Sequence, residues 1–210
     1  MAELQTQKKK YVVLPGLIMI EGPEAAGKSS LEAEMRILAP ELWVTNEPTI
    51  KPPRGAGPSW FEEDRREHVV KMRESAEKGA RPVTFRYQPS TMVNQKSNWP
   101  EDIPFPELSL FLIPELRTLQ ERAAARVASG DQDPMHTPEM CLEQWTRYRK
   151  VAQWMGRQNT GAVVIFVPSA DTTPRRTAEV FLEFIRASPI EREALRIFWS
   201  GHGPEFGMKS

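Results

Sequence analysis

One segment of the sequence has the residue types and spacing of a phosphate-binding loop (P-loop): Gly22-Pro-Glu-Ala-Ala-Gly27-Lys28-Ser29. Its glycines allow backbone N–H groups to converge on a phosphate, and the N-terminus of a following helix adds partial positive charge. In this geometry we expect Lys28 to bridge the β- and γ-phosphates of ATP and the Ser29 hydroxyl to bind Mg²⁺. The predicted ATP-binding residues are Gly22, Pro23, Glu24, Ala25, Ala26, Gly27, Lys28, Ser29 and Ser30.

Short apolar runs and helical patterns alternate along the chain around this segment. The apolar runs predict five strands, at 17–20, 42–44, 83–85, 108–113 and 162–167. The patterns between them predict helices over 29–38, 60–78, 114–129, 138–158 and 174–187. Since such alternation is typical of parallel sheets, we predict an α/β fold, a P-loop NTPase-type three-layer domain with a parallel five-stranded sheet. The Pro/Gly-rich loop over 130–138 is a candidate mobile lid.

The composition bounds the class of protein. The chain has 210 residues with 28 basic and 28 acidic side chains, so its formal net charge is zero and DNA binding by bulk positive charge is excluded. The single cysteine, Cys141, excludes an internal disulfide and a cysteine-based zinc site and favours a reducing cytoplasm. No apolar run approaches the roughly 18 residues of a membrane span, so we expect no membrane partner. We predict one domain over 1–210, with its core over 16–187 and frayed ends at 1–10 and 200–210.

Several further motifs resemble those of the thymidylate kinase family, and the resemblance extends over residues 16–185. The motifs are Ile20-Glu21-Gly22, Thr45-Asn46-Glu47-Pro48, Phe61-x-x-Asp64-Arg65, Phe85-Arg86-Tyr87-x-x-Ser90-Thr91, and Pro106-Glu107-Leu108 to Pro114 followed by a helix with Arg122 and Arg126. The resemblance implies a nucleotide kinase that uses ATP and Mg²⁺, and it makes a homodimer an expectation.

The resemblance also implies roles on the acceptor side of the site. Phe61 would stack on a thymine-type ring, and Arg65, four residues later on the same helical face, would bond its carbonyl. On spacing alone, a core phenylalanine and a solvated arginine would be the simpler interpretation. Arg86 would hold the acceptor or stabilise the transferred phosphoryl group, and Glu47 would accept the proton of an attacking hydroxyl or bind Mg²⁺ through water. The predicted substrate-binding residues are Phe61, Arg65, Arg86, Ser90 and Thr91, and the predicted catalytic residues are Lys28, Arg86 and Glu47.

Three positions depart from the pattern of the resembled family. Asn46 stands where that family has an arginine for the acceptor's monophosphate, Phe85 replaces an aspartate near the metal, and Glu24 replaces a P-loop aspartate that contacts the sugar. The lid is also poor in cations, since no Lys or Arg occurs between Arg126 and Arg147. Losing one bidentate arginine to a phosphate costs about 1.5–3 kcal/mol. We therefore expect the acceptor oxygen to be a hydroxyl rather than a phosphate.

One branch of the resembled family fits a hydroxyl acceptor. The 5-hydroxymethyluracil DNA kinases of bacteriophages phosphorylate the hydroxymethyl group of a base within DNA, a step in thymidine hypermodification, and such modified DNA is the favoured partner. Candidate DNA contacts are Lys8 to Lys10, Lys51, Arg54, Arg147, Arg149 and Lys150. Two alternatives stay open: a kinase of free dTMP or a related deoxynucleoside monophosphate, and a non-catalytic nucleotide-binding protein, which Phe85 suggests.

Histidines and several aromatic residues carry no predicted chemistry. The three histidines, His136 among them, lack the spacing of metal ligands. The near-helical spacing of Trp145, Tyr148 and Trp154 predicts core packing rather than a stacking surface.

Overall fold

Strands and helices alternate along the chain, as the apolar runs predict. The computed structural model describes residues 11–46, 53, 55–131, 134–158, 161–169 and 171–187. The strands in these ranges are β1 (Val13–Glu21), β2 (Leu42–Asn46), β3 (Arg81–Phe85), β4 (Phe105–Leu112) and β5 (Ala162–Phe166). The helices are α1 (Lys28–Leu38), α2 (Pro58–Glu77), α3 (Gln88–Gln95), α4 (Leu116–Ala128), α5 (Pro138–Gln158) and α6 (Pro174–Arg186), with a 3₁₀ helix at Pro134–His136.

The strands form one parallel sheet in the order β2-β3-β1-β4-β5. β1 is central, and its Ile20 pairs with Phe85 of β3 and with Leu110 of β4. Because all strands run the same way, their carboxyl ends share one edge of the sheet, and the P-loop leaves β1 at this edge. The predicted α/β fold with a parallel five-stranded sheet is confirmed.

Helices cover both faces of the sheet. Ile18 and Ile20 of β1 belong to a buried cluster that includes residues of α1, α4 and α6. Leu17 and Met19, which alternate with them, belong to a second cluster with residues of α2, α3 and α5. This burial on both faces explains why the strands are continuous apolar runs rather than alternating ones. The predicted three-layer arrangement is confirmed.

Helix α3 is not predicted by the sequence patterns. The motif over 85–91 contains only one strand residue, Phe85, and then Arg86 adopts a left-handed backbone with φ 62°. α3 begins at Gln88, and Pro89 lies in its first turn, where the fixed φ of proline suits a helix. The motif over 85–91 is therefore a strand end, a strained turn and a helix N-terminus.

Two helix boundaries also differ from the predicted ones. α2 begins at Pro58, two residues before the predicted start, and α4 begins at Leu116, two residues after Pro114. Proline at the first position of α2 favours the earlier start. Within the described ranges, no helix is both long and apolar enough to cross a membrane.

Candidate active site

The P-loop joins β1 to α1 at the carboxyl edge of the sheet. Gly22 leaves no room for a side chain, since a Cβ there would lie 2.2 Å from the Leu112 carbonyl oxygen. Gly27 precedes α1 with a left-handed φ of 102°, and no described side chain caps that end of the helix. The N–H groups of the first turn therefore keep their capacity to bind an anion.

Lys28 is folded back over the P-loop. Its Nζ donates to the carbonyl oxygens of Gly22 and Pro23, both at 2.6 Å, and the residue is 7% exposed. Burial lowers the pKa of Lys28 to about 8, although the charge of Glu24 opposes the shift. Neutral carbonyls are weaker partners for an ammonium group than phosphate oxygens. Lys28 is thus placed to exchange these carbonyls for a triphosphate.

A cavity of about 360 Å³ opens beside the P-loop, on the β4 and β5 side. Arg122 of α4 lines it and donates from Nη1 to the Ala26 carbonyl oxygen at 3.0 Å. Arg126, one turn later, also lines the cavity, and Pro168 and Thr172 after β5 form part of its wall. Two cations and an apolar wall suit a nucleotide. We call it the donor cavity, because its lining suits the nucleotide of a phosphate donor.

Arg65 belongs to a buried hydrogen-bond network on the opposite side of the P-loop. It is 3% exposed, and its Nη1 donates to Gln88 Oε1 at 2.8 Å and to Thr91 Oγ1 at 2.6 Å. Phe61, one turn earlier on α2, is half-buried, and its ring packs edge-on against Trp60 with the centroids 5.0 Å apart. The simpler interpretation of Arg65 as a solvated residue is wrong, because this arginine connects α2 to α3.

Arg86 lies at the carboxyl end of β3 and faces the P-loop. Its Nη2 is 3.5 Å from Glu24 Oε2, and its side chain is 38% exposed. A left-handed backbone costs a non-glycine residue about 1–2 kcal/mol, and such strain is concentrated at functional sites. Burial raises the pKa of Glu24, but the charges of Lys28 and Arg86 more than offset this and lower it. A carboxylate and two cations therefore meet at the mouth of the P-loop.

Three buried polar side chains near the P-loop are not among the predicted site residues. The Glu21 carboxylate accepts from the Ser90 backbone N–H at 3.2 Å and from the Ser90 hydroxyl at 2.9 Å. Gln144 of α5 accepts through Oε1 from the Glu24 N–H at 2.7 Å. Tyr148, one turn later, lies with its hydroxyl 3.1 Å from Ser90 Oγ. Glu21 stands within a motif of the resembled family, whereas the sequence carries no local signal for the other two.

The oxygen donors near the P-loop fit a magnesium ion carried by a triphosphate. Ser29, the second residue of α1, is exposed and can offer its hydroxyl. Phe85 is 1% exposed and shares a core cluster with Ala25 and Leu31, so β3 offers no side-chain oxygen at that position. No group of three or more His, Cys, Asp or Glu in the described part of the chain could hold a metal. A Mg²⁺ ion here would keep most of its ligands from phosphate and water.

The segment between α4 and α5 brings a histidine close to the donor cavity. His136 is 4% exposed, with its Nε2 3.4 Å from Arg126 Nη1 and its Nδ1 3.4 Å from Asp131 Oδ2. This histidine supplies a basic side chain in a segment that lacks Lys and Arg. Residues 132–133 lie outside the described ranges, and the mobility of the lid stays a prediction.

Some predicted residues lie outside the described part of the chain; they are Glu47, Lys8 to Lys10, Lys51 and Arg54. Two of the described candidate DNA contacts are used within the protein. Arg147 donates to the Val93 carbonyl oxygen at 2.7 Å, and the Arg149 guanidinium lies 4.3 Å from the centre of the Trp145 ring. Arg147 therefore joins α5 to α3, whereas the Arg149 contact lies within α5 itself.

Solved structures similar to this chain include nucleotide and nucleoside kinases. The thymidylate kinase of Candida albicans matches with a TM-score of 0.57 and 14% identity, over 80% of this chain and 90% of that one. The thymidylate kinase of Ehrlichia chaffeensis matches with a TM-score of 0.53 and 13% identity, over 85% and 100%. The chain has the fold of the thymidylate kinases. A deoxyadenosine kinase from M. mycoides with bound dATP shares this thymidylate kinase fold, with a TM-score of 0.52 and 14% identity over 81% and 100%. No protein-family model and no curated protein matches the sequence, so the likeness is one of fold.

Proposed function

We propose that this chain is an ATP-dependent phosphotransferase whose acceptor carries a thymine-type base. The observation that carries the proposal is the position of Lys28, which is buried over the P-loop and interacts electrostatically both with Arg126 of the donor cavity and with Arg86. A triphosphate and an acceptor would then approach the same lysine from opposite sides, which is the arrangement that phosphoryl transfer needs. The kinases with this fold are named for nucleotide or nucleoside acceptors, which supports the same class of reaction.

On the donor side, this chain's residues bind and orient the triphosphate. Lys28 exchanges its two loop carbonyls for β- and γ-phosphate oxygens, whose negative charge attracts the ammonium group more strongly than a neutral carbonyl does. The Ser29 hydroxyl would hold a Mg²⁺ ion bound with ATP, and that ion would offset negative charge on the phosphates. Arg122 and Arg126 line the cavity in which the rest of the nucleotide would lie.

On the acceptor side, Phe61 stacks on the base and Arg65, oriented by its bonds to α3, bonds a ring carbonyl. Glu47 accepts the proton of the acceptor hydroxyl. A bond forms between that hydroxyl oxygen and the γ-phosphorus, and the bond from the γ-phosphorus to the bridging oxygen of the departing ADP breaks. Arg86 stabilises the charge on the group in transfer.

The partners of the acceptor-side cations favour a hydroxyl over a phosphate. Arg86 faces the Glu24 carboxylate, and Arg65 already bonds Gln88 and Thr91. A monophosphate would have to compete with Glu24 for Arg86 and would be repelled by its charge. A neutral hydroxyl avoids both costs. The acceptor that we favour is the hydroxymethyl group of 5-hydroxymethyluracil in bacteriophage DNA.

A label-transfer assay tests the proposal. The protein is incubated with γ-labelled ATP and, separately, with DNA containing 5-hydroxymethyluracil, unmodified DNA of the same sequence, and free dTMP. We expect label on the modified DNA alone, and loss of that label in the Glu47→Gln variant. Label on dTMP would replace the favoured acceptor by a free nucleotide. ATP binding without transfer to any acceptor would contradict the enzymatic proposal and support a nucleotide-binding protein.

A further inference from the structure

Glu21 is a fully buried carboxylate that the proposed transfer steps do not use. It is the last residue of β1, directly before Gly22, and it is 0% exposed. Its Oε1 accepts from the backbone N–H groups of Tyr87 at 2.5 Å and Ser90 at 3.2 Å, and its Oε2 accepts from the Ser90 hydroxyl at 2.9 Å. Burying a carboxylate is costly unless donors replace the lost water, and these three bonds supply that replacement.

These bonds fix the turn that carries Arg86. The Arg86 N–H donates to the Ile20 carbonyl oxygen at 3.3 Å, and the next N–H along the chain, that of Tyr87, donates to Glu21. Two successive N–H groups are thus bonded to two successive residues at the end of β1, the strand that continues into the P-loop. A left-handed residue such as Arg86 persists only where its surroundings over-determine the backbone, and the Glu21 carboxylate supplies part of that constraint.

The same carboxylate also connects α3 and α5. Ser90 lies in the first turn of α3, where a negative charge is stabilised by the helix dipole. The Tyr148 hydroxyl of α5 lies 3.5 Å from Glu21 Oε2. Burial raises the pKa of the Glu21 carboxyl, and the charge of Lys28 opposes the rise. The charges of the Glu21 carboxylate and the Lys28 ammonium group therefore stabilise each other.

We propose that Glu21 is a positioning residue, which holds the turn of Arg86 against the P-loop so that the guanidinium is aimed at the group in transfer. This inference rests on the proposed function, because the role of Arg86 belongs to phosphoryl transfer.

A double-mutant cycle in kcat tests this inference. Glu21→Gln keeps an oxygen for the two backbone N–H groups but removes the charge that strengthens those bonds. We expect about a tenfold loss of kcat, with the KM for ATP unchanged within about twofold. In an Arg86→Ala background, Glu21→Gln should cost less than about twofold, because the positioned group is gone. An equal loss in both backgrounds would assign Glu21 a purely structural role and overturn the proposal.

Glu107→Gln is the matched control for this cycle. Glu107 Oε2 accepts from the Gly16 backbone N–H at 2.8 Å, near the opposite end of β1. The same chemical change is made there, and we expect kcat at the wild-type value.

Amide hydrogen exchange separates this inference from the proposed function. In Glu21→Gln we expect faster exchange over residues 85–91 and wild-type exchange in α1, and unchanged exchange over 85–91 would overturn the inference. If the wild-type protein phosphorylates no acceptor, the proposed function fails. The amide hydrogen exchange of Glu21→Gln then still tests whether Glu21 holds the turn of Arg86. If Glu21→Gln does not fold, Ser90→Ala replaces it, and we then expect about a threefold loss of kcat only where Arg86 is present.

Discussion

The two sides of the P-loop differ in the partners of their cations. On the donor side, Lys28 and Arg122 donate to backbone carbonyl oxygens of the loop itself. On the acceptor side, Arg65 bonds two side chains of α3, and Arg86 faces the carboxylate of Glu24. The donor-side cations thus hydrogen-bond to backbone carbonyl oxygens, whereas the acceptor-side cations are paired with side chains.

This difference predicts which ligand each side accepts. A neutral carbonyl is readily exchanged for a phosphate oxygen, because the charge-assisted bond to phosphate is stronger. If a buried arginine breaks its hydrogen bonds to side chains in order to bind a ligand, the acceptor atoms of those side chains stay buried without a partner. Each unsatisfied acceptor costs about 1–3 kcal/mol. An anion is therefore expected on the donor side and an uncharged hydroxyl on the acceptor side.

The largest effect is expected from Lys28→Ala. We propose that this lysine contacts the transferred phosphoryl group, and its removal should then lower kcat/KM by about 100- to 1,000-fold. The exposed Lys78, at the end of α2, provides a matched control, and Lys78→Ala should keep wild-type kinetics. Steady-state transfer from labelled ATP measures both variants. Transfer by Lys28→Ala at the wild-type rate would remove the P-loop from the mechanism.

Two substitutions of Arg86 separate its effect on activity from the strain of its backbone. Arg86→Ala should lower kcat by about 100-fold, because charge on the group in transfer loses a donor. Arg86→Gly should lose as much activity and yet be more stable than Arg86→Ala by about 1 kcal/mol, since glycine adopts a positive φ without strain. Kinetics and urea unfolding measure the two quantities. Equal stability of the two variants would argue against strain at this turn.

Variants of Phe61 and Arg65 should change different quantities: Phe61→Ala should weaken acceptor binding, and Arg65→Ala should lower the stability of the fold. Phe61→Ala should raise the KM for the acceptor by about tenfold through lost stacking. Arg65→Ala should lower the free energy of unfolding by about 2–4 kcal/mol, because Gln88 and Thr91 lose a buried donor. Acceptor titrations and thermal unfolding check the pair. A destabilised Phe61→Ala with an unchanged acceptor KM would make this ring a core residue.

The lowered pKa of Lys28 makes donor binding depend on pH. Above about pH 8 the lysine of the free protein is neutral, so Lys28 must take up a proton from solution when a phosphate binds. Nucleotide affinity should therefore fall with rising pH, by up to about tenfold per pH unit. The same shift means that the unfolded chain binds this proton more tightly, so Lys28 makes folding stability rise between pH 8 and 10.5. Calorimetry in two buffers should detect proton uptake on binding, and a flat affinity across this range would contradict the assignment.

The smallest effect is expected from Arg122→Ala in the donor cavity. The loss of one partly exposed cation should raise the KM for ATP by about threefold and leave kcat unchanged. Arg117, five residues earlier on the same helix, is exposed and pairs with Glu121, so Arg117→Ala is the control. A fall in kcat without a change in KM would show that Arg122 acts in phosphoryl transfer rather than in the binding of ATP.

The fold and the donor side could be predicted because their signals are local. Continuous apolar runs mark strands buried on both faces, and one contiguous segment carries the whole P-loop. The supports beneath the loop could not be predicted, since Glu21 meets Ser90 across 69 residues and Gln144 meets Glu24 across 120. Their contacts depend on how α3 and α5 pack under the loop. The turn at Arg86 could not be predicted for the same reason, because its backbone is held by hydrogen bonds to β1.

The most direct test of the central claim is a crystal structure of this chain with Mg²⁺ and a non-hydrolysable ATP analogue. We expect the β- and γ-phosphates in the P-loop, with Lys28 Nζ bonded to them and released from the carbonyls of Gly22 and Pro23, and the base in the cavity beside Arg122. An unoccupied P-loop with Lys28 still on its own carbonyls, at a nucleotide concentration that saturates binding in solution, would contradict the account.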